Sequence, residues 1–162
     1  MTAITRIQPS PTPLISTPLE VAQRLARSHG LWRPRVDVDP EHRYVTRLLA
    51  DEHHEAWLLT WLPGQGTRWH DHGGSAGAFV VLQGSLVERT AVHGIVRGPR
   101  HIHRRGTSHT FGSDDVHRVA NESPDPAVSL HVYAPRLALQ HDYETDDGIL
   151  RLVRTRREGV DW

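Results

Sequence analysis

Trp69-His70-Asp71-His72 is the stretch of this chain that decides its fold, because it sets two imidazoles two positions apart among short apolar segments. On a β-strand, residues two apart point to the same face of the sheet. His117 follows later, within another strand-like segment, residues 116–120. Three imidazoles that meet on one side of a metal ion leave its other side open, as a catalytic site requires. We therefore predict a metal site formed by these three histidines.

The segments around the histidines read as short strands separated by glycine and proline turns. The predicted strands are residues 44–49, 56–61, 77–83, 86–92, 101–104, 107–111, 116–120, 127–133 and 149–154. Many short strands with such turns are typical of a sandwich or a barrel. No linker divides them, so the sequence predicts a single all-β domain.

The N-terminal residues have a different character. Three prolines within the first 13 residues indicate an extended arm over residues 1–16. Thr17-Pro18-Leu19-Glu20 then forms a capping box with proline at the first helical position. Apolar residues at helical spacing predict an amphipathic helix over about 18–29, which Gly30 would end. The expected organisation is therefore an arm, residues 1–16, and one domain, residues 17–162, that begins with a helix.

Composition excludes several kinds of chemistry. The 162 residues include no cysteine, and all 19 basic residues are arginine. Disulfides, thiolate ligands and thiol nucleophiles are thus absent, as are Schiff bases on lysine. The 19 acidic residues balance the basic ones, so no field of one sign attracts nucleic acid or an anionic membrane. No apolar run approaches ~18 residues. We expect a cytoplasmic protein, monomeric or a weak homo-oligomer, with no nucleic-acid or membrane partner.

The 13 histidines supply nitrogen ligands in excess. Imidazole suits iron, zinc, copper and nickel alike, so the ligands alone do not choose the metal. His101-Ile102-His103 repeats the spacing of His70 and His72, but two arginines follow it and would repel a cation. We predict that this second pair is exposed to solvent.

Two sets of residues resemble the two motifs of the cupin superfamily. The first set comprises Gly64, His70, His72 and Gly84, and the second comprises Gly106, His117 and Asn121. A glutamate ligand usually follows the second histidine, but Ala76 and Gly77 stand at its expected positions. A cupin with three histidines and no glutamate ligand is similar to the cysteine dioxygenase family. The resemblance implies a cupin-type β-barrel or jelly roll with a short N-terminal helical region.

Residues outside the two motifs support this narrower resemblance. Ser129-Leu130-His131-Val132-Tyr133 is similar to the Ser-x-His-x-Tyr segment of the family. Arg47 stands at about the distance before His70 where the family has the arginine that holds the substrate carboxylate. Gly77 occupies the place where animal members carry a cysteine crosslinked to the tyrosine. The chain thus resembles the bacterial members, in which Tyr133 would act as a free phenol.

The resemblance implies a metal and two substrates. One Fe(II) per chain would be bound by His70, His72 and His117. A small thiol and dioxygen would react there, so that both oxygen atoms end on sulfur and L-cysteine becomes cysteine sulfinate. A metal face of three neutral imidazoles favours an anionic thiolate on its open side.

The same resemblance assigns roles to four further side chains. Arg47 would clamp the substrate carboxylate with its planar fork, and Tyr133 would donate a hydrogen bond to the carboxylate or to oxygen. Ser129, His131 and Tyr133 alternate along one strand and point one way. They would form a catalytic relay in which Ser129 and His131 orient the phenol.

Two alternatives remain open. One is a related dioxygenase for 3-mercaptopropionate or another small thiol; bacterial enzymes of that kind usually have glutamine in place of Arg47, which favours L-cysteine here. Arg68 or Arg136 could also serve as the carboxylate anchor. The other alternative is a cupin that binds a metal or small ligand without catalysis. It explains the histidines but gives no reason for Arg47 and the Ser-His-Tyr segment.

Overall fold

A computed structural model describes residues 15–97 and 99–157 of the chain. Its elements are α1 (Pro18–Arg27), α2 (His29–Trp32), a 3₁₀ turn (Arg33–Arg35) and strands β1 (Tyr44–Ala50), β2 (Glu55–Trp61), β3 (Trp69–His70), β4 (Ala76–Gln83), β5 (Ser85–Val92), β6 (Ile95–Val96), β7 (His101–Arg104), β8 (Ser108–Phe111), β9 (Val116–Ala120), β10 (Ala127–Ala134), β11 (Leu139–Asp146) and β12 (Ile149–Arg157). The predicted arm, residues 1–16, lies outside the described residues except for Ile15 and Ser16.

The strands form two antiparallel sheets. One sheet has the order β1-β2-β10-β4-β8, and the other has the order β6-β12-β11-β3-β9-β5-β7. Side chains from both sheets share one buried core, which includes Trp61, Phe79, Leu86 and Val119. The predicted all-β architecture is confirmed. Within the described ranges, no helix is long and apolar enough to cross a membrane.

Helix α1 covers the outer face of the five-stranded sheet. Its buried residues Val21, Ala22 and Leu25 pack in one cluster with side chains of β4 and β10. The predicted capping box is present, since the Thr17 backbone N–H donates to Glu20 Oε2 at 2.8 Å and the Glu20 N–H donates to Thr17 Oγ1 at 3.3 Å. The helix therefore lies on the side of the sheet away from the barrel interior.

The predicted end of this helix is wrong by two residues. Helix α1 ends at Arg27, because Ser28 leaves the helical conformation and its hydroxyl donates to the Arg24 carbonyl oxygen at 3.1 Å. Gly30, which was expected to stop the helix, lies inside the short helix α2.

Most of the predicted strands agree with the structure to within a few residues, but β11 was missed. Its sequence, Leu-Gln-His-Asp-Tyr-Glu-Thr-Asp, is polar, and only Asp142 within it is fully buried. Strands β3 and β6, of two residues each, are too short to give a sequence signal.

Candidate metal centre

The three predicted ligands meet inside the barrel. His70 on β3 lies directly opposite His117 on β9, and their ring centroids are 4.7 Å apart. The His72 ring lies 4.9 Å from that of His70 and 5.1 Å from that of His117. One ring nitrogen from each residue lies within 4.8 Å of the other two, and all three side chains are buried. The structure therefore brings the predicted ligand set together.

A tight turn, rather than a strand, presents His72. Strand β3 ends at His70, so the two histidines do not share one strand, contrary to what their two-residue spacing predicts. The Asp71 carboxylate stabilises the turn, because it accepts hydrogen bonds from the Gly73 N–H at 2.9 Å and from the Tyr143 hydroxyl at 2.6 Å. Gly73 has φ +55°, and a Cβ there would lie 2.6 Å from Leu139. Glycine is required at this turn, and the turn aims the second imidazole at the first.

The hydrogen bonds of the rings leave nitrogen lone pairs for a metal. His70 Nδ1 lies 3.0 Å from the Arg68 carbonyl oxygen, and His117 Nδ1 lies 2.6 Å from Glu88 Oε1. Because both partners only accept, each Nδ1 donates and each Nε2 keeps its lone pair. His72 Nδ1 is buried and has no hydrogen-bond partner in the described ranges. Burial lowers the pKa of His70 and of His72 well below the usual range, so these rings are neutral. The donor set fits a divalent transition metal.

Glu88 on β5 was missed by the sequence analysis. Its carboxylate is fully buried, and besides His117 it accepts from His103 Nε2 at 2.8 Å. Burial by itself would raise the pKa of Glu88, but the hydrogen bonds from His103 and His117 hold that pKa far below its usual range. A carboxylate on the outer nitrogen of a metal-binding histidine fixes the tautomer and orientation of the ring. The sequence signal that could have identified Glu88 is its charge, directly after the apolar pair Leu86-Val87 in a predicted strand.

The Ser-His-Tyr segment lies on β10, and its side chains face the barrel interior. Trp61 Nε1 donates to Ser129 Oγ at 2.9 Å, and Ser129 Oγ lies 2.9 Å from His131 Nε2. Burial lowers the pKa of His131 to about 3, so the ring is neutral. The buried Ser129 hydroxyl then donates to Nε2, because no other acceptor for it is found in the described part of the chain. The His131 proton consequently sits on Nδ1.

The expected relay stops at His131. No hydrogen bond joins the His131 ring to the Tyr133 hydroxyl within residues 15–97 and 99–157. The reason is geometric, because the imidazole leans along the strand toward Ser129 and so away from Tyr133. The network contains Trp61 in place of Tyr133, and no sequence spacing links Trp61 to Ser129.

Tyr133 stands beside the imidazoles independently of that network. Its ring centroid lies 5.1 Å from that of His72. Burial raises its pKa above the usual range, so the phenol keeps its proton at neutral pH. Directly across the strand pair lies Gly77, and Phe111 packs over this glycine. The phenol is therefore a hydrogen-bond donor next to the three histidines.

Two arginines of the β1 region have different surroundings. Arg47 is half-exposed; its guanidinium lies over Trp57 at 5.5 Å, and Nη1 is 3.9 Å from Glu55 Oε2. Arg43, which the sequence analysis missed, lies over Trp61 at 4.9 Å and lines a small cavity with His70, His117 and Tyr133. Burial lowers the pKa of Arg43 to about 10, so it remains a cation. Arg43 thus shares a cavity with two of the imidazoles, although its sequence position just before β1 does not indicate this.

Three other residues named from the sequence have side chains whose partners are groups other than the three imidazoles. Arg68 is exposed and pairs with Glu144 at 3.1 Å. Arg136 Nε lies 3.7 Å from Glu55 Oε2, at the same carboxylate as Arg47. Asn121 is buried and its side-chain amide donates to the carbonyl oxygens of two other residues, so it stabilises a turn.

The fold and the site together define a class of protein, a double-stranded β-helix of the cupin type with a three-histidine face. A crystal structure of a Thermus thermophilus protein aligns with a TM-score of 0.57 and 28% identity, covering 64% of this chain and 93% of that one. A Klebsiella pneumoniae protein with a double-stranded β-helix domain aligns at TM-score 0.56 and 16% identity, over 75% and 93% of the two chains. The predicted cupin barrel is confirmed.

The particular family follows from the sequence comparisons. The family model of cysteine dioxygenase type I matches residues 20–146, so the chain belongs to that family. Cysteine dioxygenase type 1 of Rattus norvegicus is 31% identical over 119 residues, which cover 67% of this chain and 59% of the rat protein. The Danio rerio protein of that name is 36% identical over 107 residues, 59% of this chain and 53% of the other. The chain thus spans less than two thirds of the curated relatives that it matches.

Proposed function

We propose that this protein is an iron-dependent thiol dioxygenase that converts L-cysteine and O2 to cysteine sulfinate. The observation that carries the proposal is the convergence of His70, His72 and His117 beside the protonated phenol of Tyr133. Membership of the cysteine dioxygenase type I family supports it. The cytoplasmic location, the single domain and the monomeric or weakly oligomeric state stay predictions.

The three histidines would hold one Fe(II) through ring nitrogens. When bound, that ion would supply the redox chemistry by which both oxygen atoms of O2 are added to the thiol sulfur. The imidazoles are neutral ligands and cancel none of the positive charge, which favours a thiolate over a thiol. Glu88 and the Arg68 carbonyl oxygen hold two of the rings in orientation through their Nδ1 atoms.

Tyr133 would donate a hydrogen bond to the substrate carboxylate or to oxygen. Its buried environment keeps the proton on the phenol. His131 would act beside it, because its Nδ1–H is not used by Ser129 and its ring lines the same cavity. Ser129 and Trp61 hold that imidazole in one orientation, so their role is to position it.

Arg47 remains the proposed anchor of the substrate carboxylate. It shares an inward-facing row with Trp57 and His131, since these residues are direct partners across β1, β2 and β10. Arg43 lines the cavity from another side, and its buried charge favours anions throughout the cavity. A thiol that carries a carboxylate is the substrate class that suits these cations.

Oxygen consumption tests this proposal. Protein reconstituted anaerobically with ferrous iron should consume O2 with L-cysteine and release cysteine sulfinate in equal amount. His72→Ala should lose iron and activity together, whereas the exposed His101→Ala variant should keep both. Faster turnover with 3-mercaptopropionate would change the assigned substrate. No O2 uptake with any thiol would refute catalysis and leave a metal-binding cupin.

A further inference from the structure

Glu88 belongs to a second group of potential metal ligands, at the corner where the two sheets meet. Its Oε2 lies 2.8 Å from His103 Nε2 and 3.3 Å from His109 Nε2. One potential ligand atom from each of the three residues lies within 4.8 Å of the other two. A divalent metal with bonds of about 2.0–2.2 Å holds its ligand atoms roughly 3–3.5 Å apart. The three side chains therefore need only small shifts to share one cation.

The charges of this corner favour a cation. Glu88 is fully buried, and in the described ranges its ion-pair partners are only imidazoles: His103, His109 and His117. No arginine neutralises it there. Buried carboxylates in proteins are paired with a cation or coordinate a metal ion.

The two arginines that follow His103 in the sequence do not face this corner. Arg104 alternates with His103 along β7 and points to the other face. Arg105 follows the end of β7 and lines a cavity beside the helices, with Ala26 and Trp32. The predicted exposure of the histidine pair is correct for His101 only. The His103 side chain is 12% exposed, and its ring packs against Phe79 at 5.0 Å.

The fold makes the corner both constrained and accessible. Strand β8 is the edge of the five-stranded sheet and β7 is the edge of the other, so His109 and His103 approach from different sheets. The His109 side chain is 35% exposed, which gives a cation and its remaining water ligands access from solvent. A cation here would join the two sheet edges. It would also touch the carboxylate whose other oxygen holds His117.

We propose that Glu88, His103 and His109 bind a second divalent transition-metal ion, of the Zn²⁺ class, separate from the ion at His70, His72 and His117. Two imidazoles and one carboxylate suit Zn²⁺, Co²⁺ or Ni²⁺ rather than Mg²⁺ or Ca²⁺. The ligand set leaves a position for water, so the site is open on its His109 side.

Zinc stoichiometry tests the proposal on untagged, chelator-treated protein. After equilibrium dialysis against Zn²⁺ alone, the unmodified protein should bind two ions per chain. A His103→Ala/His109→Ala variant should bind one ion, and so should His72→Ala. His101→Ala, a matched change on the same face of β7, should still bind two. Loss of thiol oxidation in His72→Ala would concern only the site at His70, His72 and His117. It would not change the number of zinc ions expected at Glu88, His103 and His109.

A second measurement guards against misfolding. His109→Asn changes a partly exposed ring, and it should retain the circular dichroism spectrum while its Zn²⁺-induced rise in Tm falls to that of one ion. His72→Ala should show the complementary partial rise. One zinc per chain in the unmodified protein, or two in the double variant, would overturn the proposal and leave the corner as a hydrogen-bonded cluster only.

Discussion

Arg43 and Arg47 stand four positions apart in the chain but face different partners. Arg47 shares the Glu55 carboxylate with Arg136, whereas Arg43 forms no ion pair within the described residues and lies over Trp61 in the cavity. A guanidinium that binds a carboxylate through two N–H groups contributes roughly 2 kcal/mol. Comparing a substrate that has a carboxylate with one that lacks it therefore distinguishes the roles of the two arginines.

We predict that Arg47→Gln lowers kcat/KM for L-cysteine by roughly 30-fold, the equivalent of about 2 kcal/mol, and leaves the rate with cysteamine nearly unchanged. Cysteamine lacks the carboxylate that the clamp would hold. Arg43→Gln is the matched variant. It should lower kcat/KM for both thiols by similar factors, because the charge of Arg43 acts on the whole cavity. The measurement is oxygen consumption with iron content held equal. A carboxylate-selective loss in Arg43→Gln instead would transfer the anchor to Arg43.

Tyr133→Phe should lower kcat at least tenfold without changing iron content. The phenol takes no part in the hydrogen bonds that orient His70 and His117, and burial keeps its proton in place. Loss of a donor that acts during reaction reduces turnover but not metal affinity. Iron would be measured by chelation colorimetry next to the steady-state rate. An unchanged kcat would remove the phenol from the reaction.

At the scale of the elements, β4 passes β10 and β8 with no space for a side chain at Gly77. A Cβ there would overlap the Phe111 ring and would lie 2.7 Å from the Val132 carbonyl oxygen. Phe111 in turn stacks on His72, with ring centroids 4.4 Å apart. The space beside Gly77 is thus filled by an aromatic ring from β8.

Gly77→Ala should therefore destabilise the fold by about 1–3 kcal/mol, because the core is overpacked. Gly112→Ala is the control, since a Cβ at that position meets no atom closer than 3.5 Å and the backbone is unstrained. Urea unfolding of both variants would give the difference. If space at residue 77 is the cause, adding Phe111→Leu should recover part of the loss. Equal stability of Gly77→Ala and Gly112→Ala would contradict this packing argument.

The elements also show which features a sequence can predict. Strands such as β2 and β10 combine β-branched or aromatic residues with turns at both ends, and their bounds were predicted within a residue. Strand β11 was missed, because pairing with β3 and β12 holds it in place rather than apolar burial. The three histidines of the candidate metal centre have a characteristic spacing. Arg43 and Glu88 have none, since their positions depend on sheets that meet only in the folded chain.

The whole molecule encloses several histidines that burial keeps neutral. Burial lowers the pKa of His131 to about 3, and the pKa of His70 and of His72 falls well below the usual range. In the unfolded chain these rings titrate near a pKa of ~6.5. Between these values the unfolded state binds protons that the folded state does not, so stability falls as the pH falls. The fold should be destabilised by mild acid.

His131→Asn should reduce that sensitivity, because it removes one ring that charges only on unfolding. From pH 7 to pH 5 a single such histidine costs the folded state at most roughly 2 kcal/mol. The free energy of unfolding of the unmodified protein should thus approach that of His131→Asn as the pH falls. Urea titrations in EDTA would measure both without a metal contribution. Ser129→Ala removes the same hydrogen bond but keeps the imidazole, so its curve should run parallel to that of the unmodified protein. If the His131→Asn curve also ran parallel, the buried ring would already be charged in the folded state, and its proposed place as a neutral donor beside Tyr133 would fail.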